Sequence, residues 1–125
     1  MKAIRIGYWV STIIISAMML FSSYAYLTKD AVREAFHHLG FPDYFRVELA
    51  IAKLLGAILL LVPGIGRLLE WVYAGFFITF ISAFIAHTAS NDPVPNRMMP
   101  LIFAVLLLVS YITYYKKLPV KALAN

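Results

Sequence analysis

Residues 98–115, MMPLIFAVLLLVSYITYY, run for 18 positions without a charged side chain. A helix crossing a bilayer needs about 20 predominantly apolar residues, and this run ends on Lys116 and Lys117 with Pro119 beyond. Working back along the chain, a second block covers residues 68–89 and stops at Asn91-Asp92-Pro93. A third, residues 44–62, follows the candidate cap Asp43 and ends in the tight turn Pro63-Gly64-Ile65-Gly66. A fourth covers residues 6–27; its length, its Ser and Tyr content and the lack of a small-x-small cleavage site mark it as a retained helix rather than a secretory signal. The 125 residues are 62% hydrophobic and 14% charged, whereas soluble domains average about 45–50% apolar and about 25% charged. The pattern predicts an all-α integral membrane four-helix bundle, a single transmembrane domain spanning residues 1–125. Short connections make consecutive helices antiparallel neighbours.

Between residues 28 and 43 the chain turns polar, and Val32, Phe36 and Leu39 repeat at helical spacing. Thr28 or Asp30 suits the start, and Gly40 followed by Pro42 suits the end. This reads as a short amphipathic helix lying on the membrane surface between the first two spans.

The formal charge of +5 does not describe a nucleic-acid surface, because Lys2, Arg5, Lys116, Lys117 and Lys121 flank apolar blocks at the chain ends, as topology-setting charges do. With four spans, these five residues and Arg67 share one side. Lys29, Arg33 and Arg97 lie on the other, with Arg46 at a helix entrance. The bias predicts both termini in the cytoplasm, and the expected location is a bacterial inner membrane. The absence of cysteine excludes disulfide exchange, thiolate metal sites and a cysteine nucleophile.

Charge at the bilayer centre costs about 2.5–3.5 kcal/mol on insertion scales, so such residues face the bundle and find partners. Lys53 stands midway along the third block. At about 100° per residue, Arg46, Ala50, Lys53, Ala57 and Leu60 fall on one stripe, with Glu48 pointing away. Lys53 is expected either to line a polar pocket or to sit in a structural ion pair, while Arg46 and Glu48 are within reach of headgroups. Tyr8, Thr12, Ser16, Met19, Ser23 and Tyr26 make a hydroxyl-rich stripe along the first span, suited to helix packing or to lining a pocket. In residues 68–89, Gly75, Thr79, Ser82 and Ala86 form a small-residue stripe for close helix contact. Phe77, Ile81, Phe84 and Ile85 are expected to face lipid, and Glu70 to pair with Arg67 or sit among headgroups. Trp71, Tyr73 and Tyr8 fit an interfacial aromatic belt. His87, with Asp92 a turn beyond and His37 and His38 on the same side, invites a metal or haem reading. No His-x-x-x-His spacing supports it, and a histidine hydrogen-bonded within the bundle is the simpler expectation.

Phe41-Pro42-Asp43-Tyr44-Phe45-Arg46-Val47-Glu48, then Ala52-Lys53-Leu54-Leu55-Gly56-Ala57 and Pro63, resemble the DoxX-like membrane proteins. So do Glu70-Trp71-Val72-Tyr73-Ala74-Gly75-Phe76, Ala86-His87 and the early Tyr8-Trp9-Val10-Ser11-Thr12. The resemblance implies a four-helix membrane protein with recurring polar positions at Arg46, Glu48, Lys53, Glu70 and His87. It also implies association with membrane redox systems, the family name deriving from subunits of a quinone-linked thiosulfate-oxidising complex, or with assembly of other membrane proteins. Two functions follow as expectations. One is an oxidoreductase subunit, not a complete enzyme alone, binding a quinone or lipid against Lys53, Arg46, Glu48, Tyr8, Thr12, Ser16 and His87. The other is a non-enzymatic scaffold, assembly factor or small-molecule carrier. A membrane protein partner or a homo-oligomer suits either.

Overall fold

A computed structural model describes residues 2–62 and 64–117. The expectations that fall on Pro63, Pro119 and Lys121 lie outside them. The described residues form five α-helices and no strand: α1 (Lys2–Thr28), α2 (Asp30–His38), α3 (Asp43–Leu61), α4 (Arg67–Ala89) and α5 (Val94–Lys117). Gly40, at φ +86°, and Gly66, at φ +59°, occupy left-handed backbone at the end of α2 and the start of α4, where only glycine escapes the Cβ penalty. Neither expected side-chain cap forms. Thr28 Oγ1 donates back to the Tyr24 carbonyl at 2.8 Å, and Asp43 is the first residue of α3 rather than its cap. There its carboxylate still complements the positive end of the helix.

Helix α5 starts four residues before the expected span, because Pro95 is compatible with a first turn that needs no amide donor. Pro100, inside α5 and buried, deprives the Asn96 carbonyl of its helical donor near the helix start, where the loss is mildest.

Three helices, α1, α4 and α5, are long and apolar enough to cross a membrane. Helix α3 is not among them: Asp43, Arg46, Glu48 and Lys53 crowd its 19 residues. Large apolar side chains such as Phe21, Ile78, Val105 and Ile112 are exposed on the outside of the molecule, the arrangement of a protein whose solvent is lipid.

Helix α1 packs against both α3 and α5, α4 packs mainly on α5 and more lightly on α3, and α2 rests on α3 and α1. The core runs between them through Ile15, Leu60, Val72, Phe76, Phe80 and Leu107. At the α3–α4 contact Gly56 faces the Phe76 ring, so that a Cβ on Gly56 would stand 2.7 Å from Phe76 Cζ. The missing side chain sets how closely these two helices approach.

Candidate functional site

Helix α3 buries Arg46, Ala50, Lys53, Ala57 and Leu60, the five residues that helical periodicity places on one stripe. Glu48 is exposed on the opposite side. Lys53, 6% exposed, donates from Nζ to Tyr26 Oη at 2.7 Å and to Ser22 Oγ at 3.1 Å. Its ammonium lies 3.9 Å from the centroid of the Tyr26 ring, where the electron-rich face attracts a cation. Among the described residues the ion pairs involve only Asp43 and Asp92 as acids, so Lys53 is held by hydroxyls and an aromatic face rather than by a carboxylate. Two turns away, Arg46 donates from Nε and Nη2 to Asp43 Oδ1 at 3.2 and 3.1 Å, and from Nη1 to the Tyr26 carbonyl. Ser23 Oγ donates to the Ala50 carbonyl at 2.7 Å. Tyr26 is therefore the hub of the α1–α3 seam, its hydroxyl serving Lys53 and its carbonyl serving Arg46. Buried polar groups without such partners cost several kcal/mol in hydrocarbon.

A second cluster links three helices toward the opposite end. Ser110 Oγ on α5 lies 2.6 Å from Thr12 Oγ1 on α1 and 2.7 Å from Tyr73 Oη on α4. Ser16, a turn further along α1, is 1% exposed and its hydroxyl has no hydrogen-bond partner among the described residues. Tyr8 and Tyr73, expected in an interfacial belt, are 5% and 4% exposed and belong to the interior. Trp71, at 78% exposure, lies on the outside of the molecule. The rings of Tyr8 and Tyr114 receive Lys117 Nζ at 4.7 and 5.0 Å, joining the start of α1 to the end of α5.

Around His87 the geometry is that of a bridging carboxylate. His87 Nδ1 is 2.5 Å from Asp92 Oδ2, and His38 Nε2 is 2.6 Å from Asp92 Oδ1. These two bonds hold α2 against the α4–α5 turn, and hydrogen bonding by His87 and then His38 lowers the Asp92 pKa below its usual 3.8. His37 is exposed. Among the described residues no three His, Asp or Glu side chains are arranged to hold a metal ion.

On α4 the inward face is Leu69, Val72, Tyr73, Phe76 and Phe80. The small-residue stripe predicted for helix contact turns outward instead: Gly75 and Ser82 are exposed, and a Cβ on Gly75 would meet nothing within 4 Å. Aromatic rings fill the interface more completely than small residues do, and α4 buries them. Phe77 and Ile85 face outward, at 37% and 59% exposure.

A cavity of about 220 Å³ opens between α4 and α5, lined by Glu70, Tyr73, Ala74, Phe77, Leu107, Leu108 and Tyr111. A shallower depression of about 460 Å³ runs along the outer face of α1, from Arg5 to Ile14. None of the seven residues singled out from the sequence lines either one. The structure collects Lys53 and Arg46 around Tyr26, and Thr12 at Ser110. Tyr8 stands with Tyr114, His87 with Asp92, and Ser16 and Glu48 stand apart. Glu70 and Tyr111 are the residues that sequence reasoning passed over as site candidates. The spacing of Glu70, Tyr73, Ala74 and Phe77 at i, i+3, i+4 and i+7 was the available signal.

Comparison with known proteins adds one finding: the model of the DoxX-like family matches residues 10–110. No curated protein and no solved structure matches.

Proposed function

The chain belongs to the DoxX-like family, and on that premise we propose that it is a subunit or accessory of a membrane redox system that carries a hydrophobic ligand, a quinone or a lipid, between α4 and α5. The observation behind this reading is the cavity of about 220 Å³, partly open to the outside of the molecule and apolar except for Glu70 and the two tyrosines. Ligand sites have this composition, apolar walls with a few orienting polar groups, and the volume suits a ring or a chain segment rather than a whole large ligand. Helix α3 completes a four-span bundle in this reading. Its 19 residues extend about 28 Å, close to the roughly 30 Å of the hydrocarbon core. Lys53 and Arg46 face α1 rather than lipid, which removes the objection their charge raises. Helix α2 lies on the membrane surface, both termini are cytoplasmic, and the membrane is the bacterial inner one.

Lys53, enclosed by Tyr26 and Ser22, supports a second reading. A polar seam that only fastens helices together is what a scaffold or assembly factor needs. Gentle purification, with an absorption spectrum and mass spectrometry of whatever stays bound, separates the two. The redox reading expects a lipid-soluble molecule at one per chain, lost in Ala74→Trp, which fills the cavity from an exposed position. A stoichiometric protein partner with no such molecule overturns it in favour of the scaffold.

A further inference from the structure

We infer that the α4–α5 groove recognises an aliphatic ammonium ion, with its cationic head at Glu70 and its chain along Ala74, Phe77, Leu107 and Leu108. This rests on the groove being a ligand site and names the class of ligand it takes. The reason is charge complementarity. Glu70 is a half-buried carboxylate on the groove wall, and the described ion pairs leave it without a cation, Arg67 included. Around it stand Tyr73 and Tyr111, packed edge to face with ring centroids 5.2 Å apart, and Phe77. The Tyr73 hydroxyl is already engaged by Ser110 on the buried side, so Tyr73 offers the groove its ring. A carboxylate among aromatic rings is the chemistry that holds ammonium groups, by ion pairing and by attraction to the ring faces. Of the two ligands named above, a lipid amine is the one Glu70 itself favours, since quinone carbonyls accept hydrogen bonds and so does the carboxylate. The rest of the wall is hydrocarbon, suited to an alkyl chain lying between two helices.

The groove is tested with the full chain in uncharged maltoside micelles, by equilibrium dialysis of dodecyltrimethylammonium and of dodecanol, an uncharged chain of equal length. Empty micelles give the partition background. Wild type is expected to bind the ammonium about tenfold more tightly than the alcohol, the scale of a partly desolvated cation–aromatic and ion-pair contact. Glu70→Gln should bring the two affinities together while leaving dodecanol bound. If Glu70→Gln keeps the ammonium preference, the ammonium assignment is wrong although the groove remains a ligand site. If Ala74→Trp, confirmed helical by circular dichroism, binds both probes like wild type, the groove itself is not the site. Added phosphatidylethanolamine that displaces the probe identifies a bilayer lipid as the source of the ammonium. Displacement only by single-chain amines identifies a small amphiphile.

Discussion

Helices α1 and α4 are both apolar enough to span a membrane, yet they bury opposite chemistry. The inward residues of α1 include Tyr8, Ser11, Thr12, Ser16 and Ser23 beside Ile15 and Met19. Those of α4 are Leu69, Val72, Tyr73, Phe76 and Phe80, with a single hydroxyl. In a bilayer, lipid is as apolar as leucine, so burying apolar surface does not by itself drive one helix onto another. Helix α1 obtains its attachment from hydrogen bonds to α3 and α5. Helix α4 has one such bond, Tyr73 to Ser110, and otherwise relies on aromatic packing, Phe76 on Gly56 and Phe80 against Phe103 at 5.9 Å between ring centroids. Directional bonds tie the inward face of α1 to its neighbours, whereas the ring packing of α4 leaves the groove beside Glu70. In the reading proposed above, one helix holds the molecule together and the other accepts a ligand.

The sharpest way to break this contrast is Tyr26→Phe. Removing the hydroxyl keeps the ring but leaves Ser22 as the one hydrogen-bond partner shown for the buried Lys53 ammonium, and hydrogen bonds to charged groups are worth about 1.5–3 kcal/mol. A loss of about 2 kcal/mol in detergent unfolding experiments is expected, mostly recovered when Lys53→Met is added, because the charge needing the bond is gone. Tyr24, 61% exposed, provides the control. If Tyr24→Phe destabilises as much, the seam is not specific.

A smaller effect is expected on the aromatic side. Gly56→Ala drives a Cβ into the Phe76 ring and should cost about 1–2 kcal/mol as overpacking. Gly75→Ala enters open space and should stabilise by roughly 0.5–1 kcal/mol through helix propensity. Equal responses at the two glycines, measured by thermal unfolding, would show that α4 does not approach α3 through Phe76.

The smallest expected effect concerns α2 and is read as a pH dependence. Asp92 has a lowered pKa in the folded protein, so the unfolded chain binds more protons near the ordinary carboxyl pKa. Its contribution is therefore complete above pH 3.8 and declines as pH falls through the lower folded value. An acid titration of stability should show wild type losing its advantage over Asp92→Asn in that window. Parallel curves for the two proteins would mean that the bridge to His38 and His87 does not secure α2.

The inward faces of α1 and α3 were legible before any coordinates. Hydroxyls and charges at helical spacing must turn away from lipid, so Thr12, Ser16 and Ser23, and Arg46 and Lys53, identify their own buried stripe. The face of α4 was not legible by the same means. Its positions are almost all apolar, lipid accepts any of them, and the small-residue stripe through Gly75 points outward. Partners were hidden as well. Lys53 announced that it needed company, but Tyr26 and Ser22 became its partners only through the rotation of α1 against α3.

The sequence by itself determined the all-helical character, the positions of the helices, the apolar exterior and the need to bury Lys53, because hydropathy and helical periodicity act locally. The tertiary structure alone decided the bridging of His38 and His87 by Asp92, the closeness of Gly56 to Phe76, and the opening beside Glu70. Each depends on how far and at what angle two helices meet. In a solvent as apolar as the side chains themselves, shape and a few hydrogen bonds settle that meeting, and hydropathy does not.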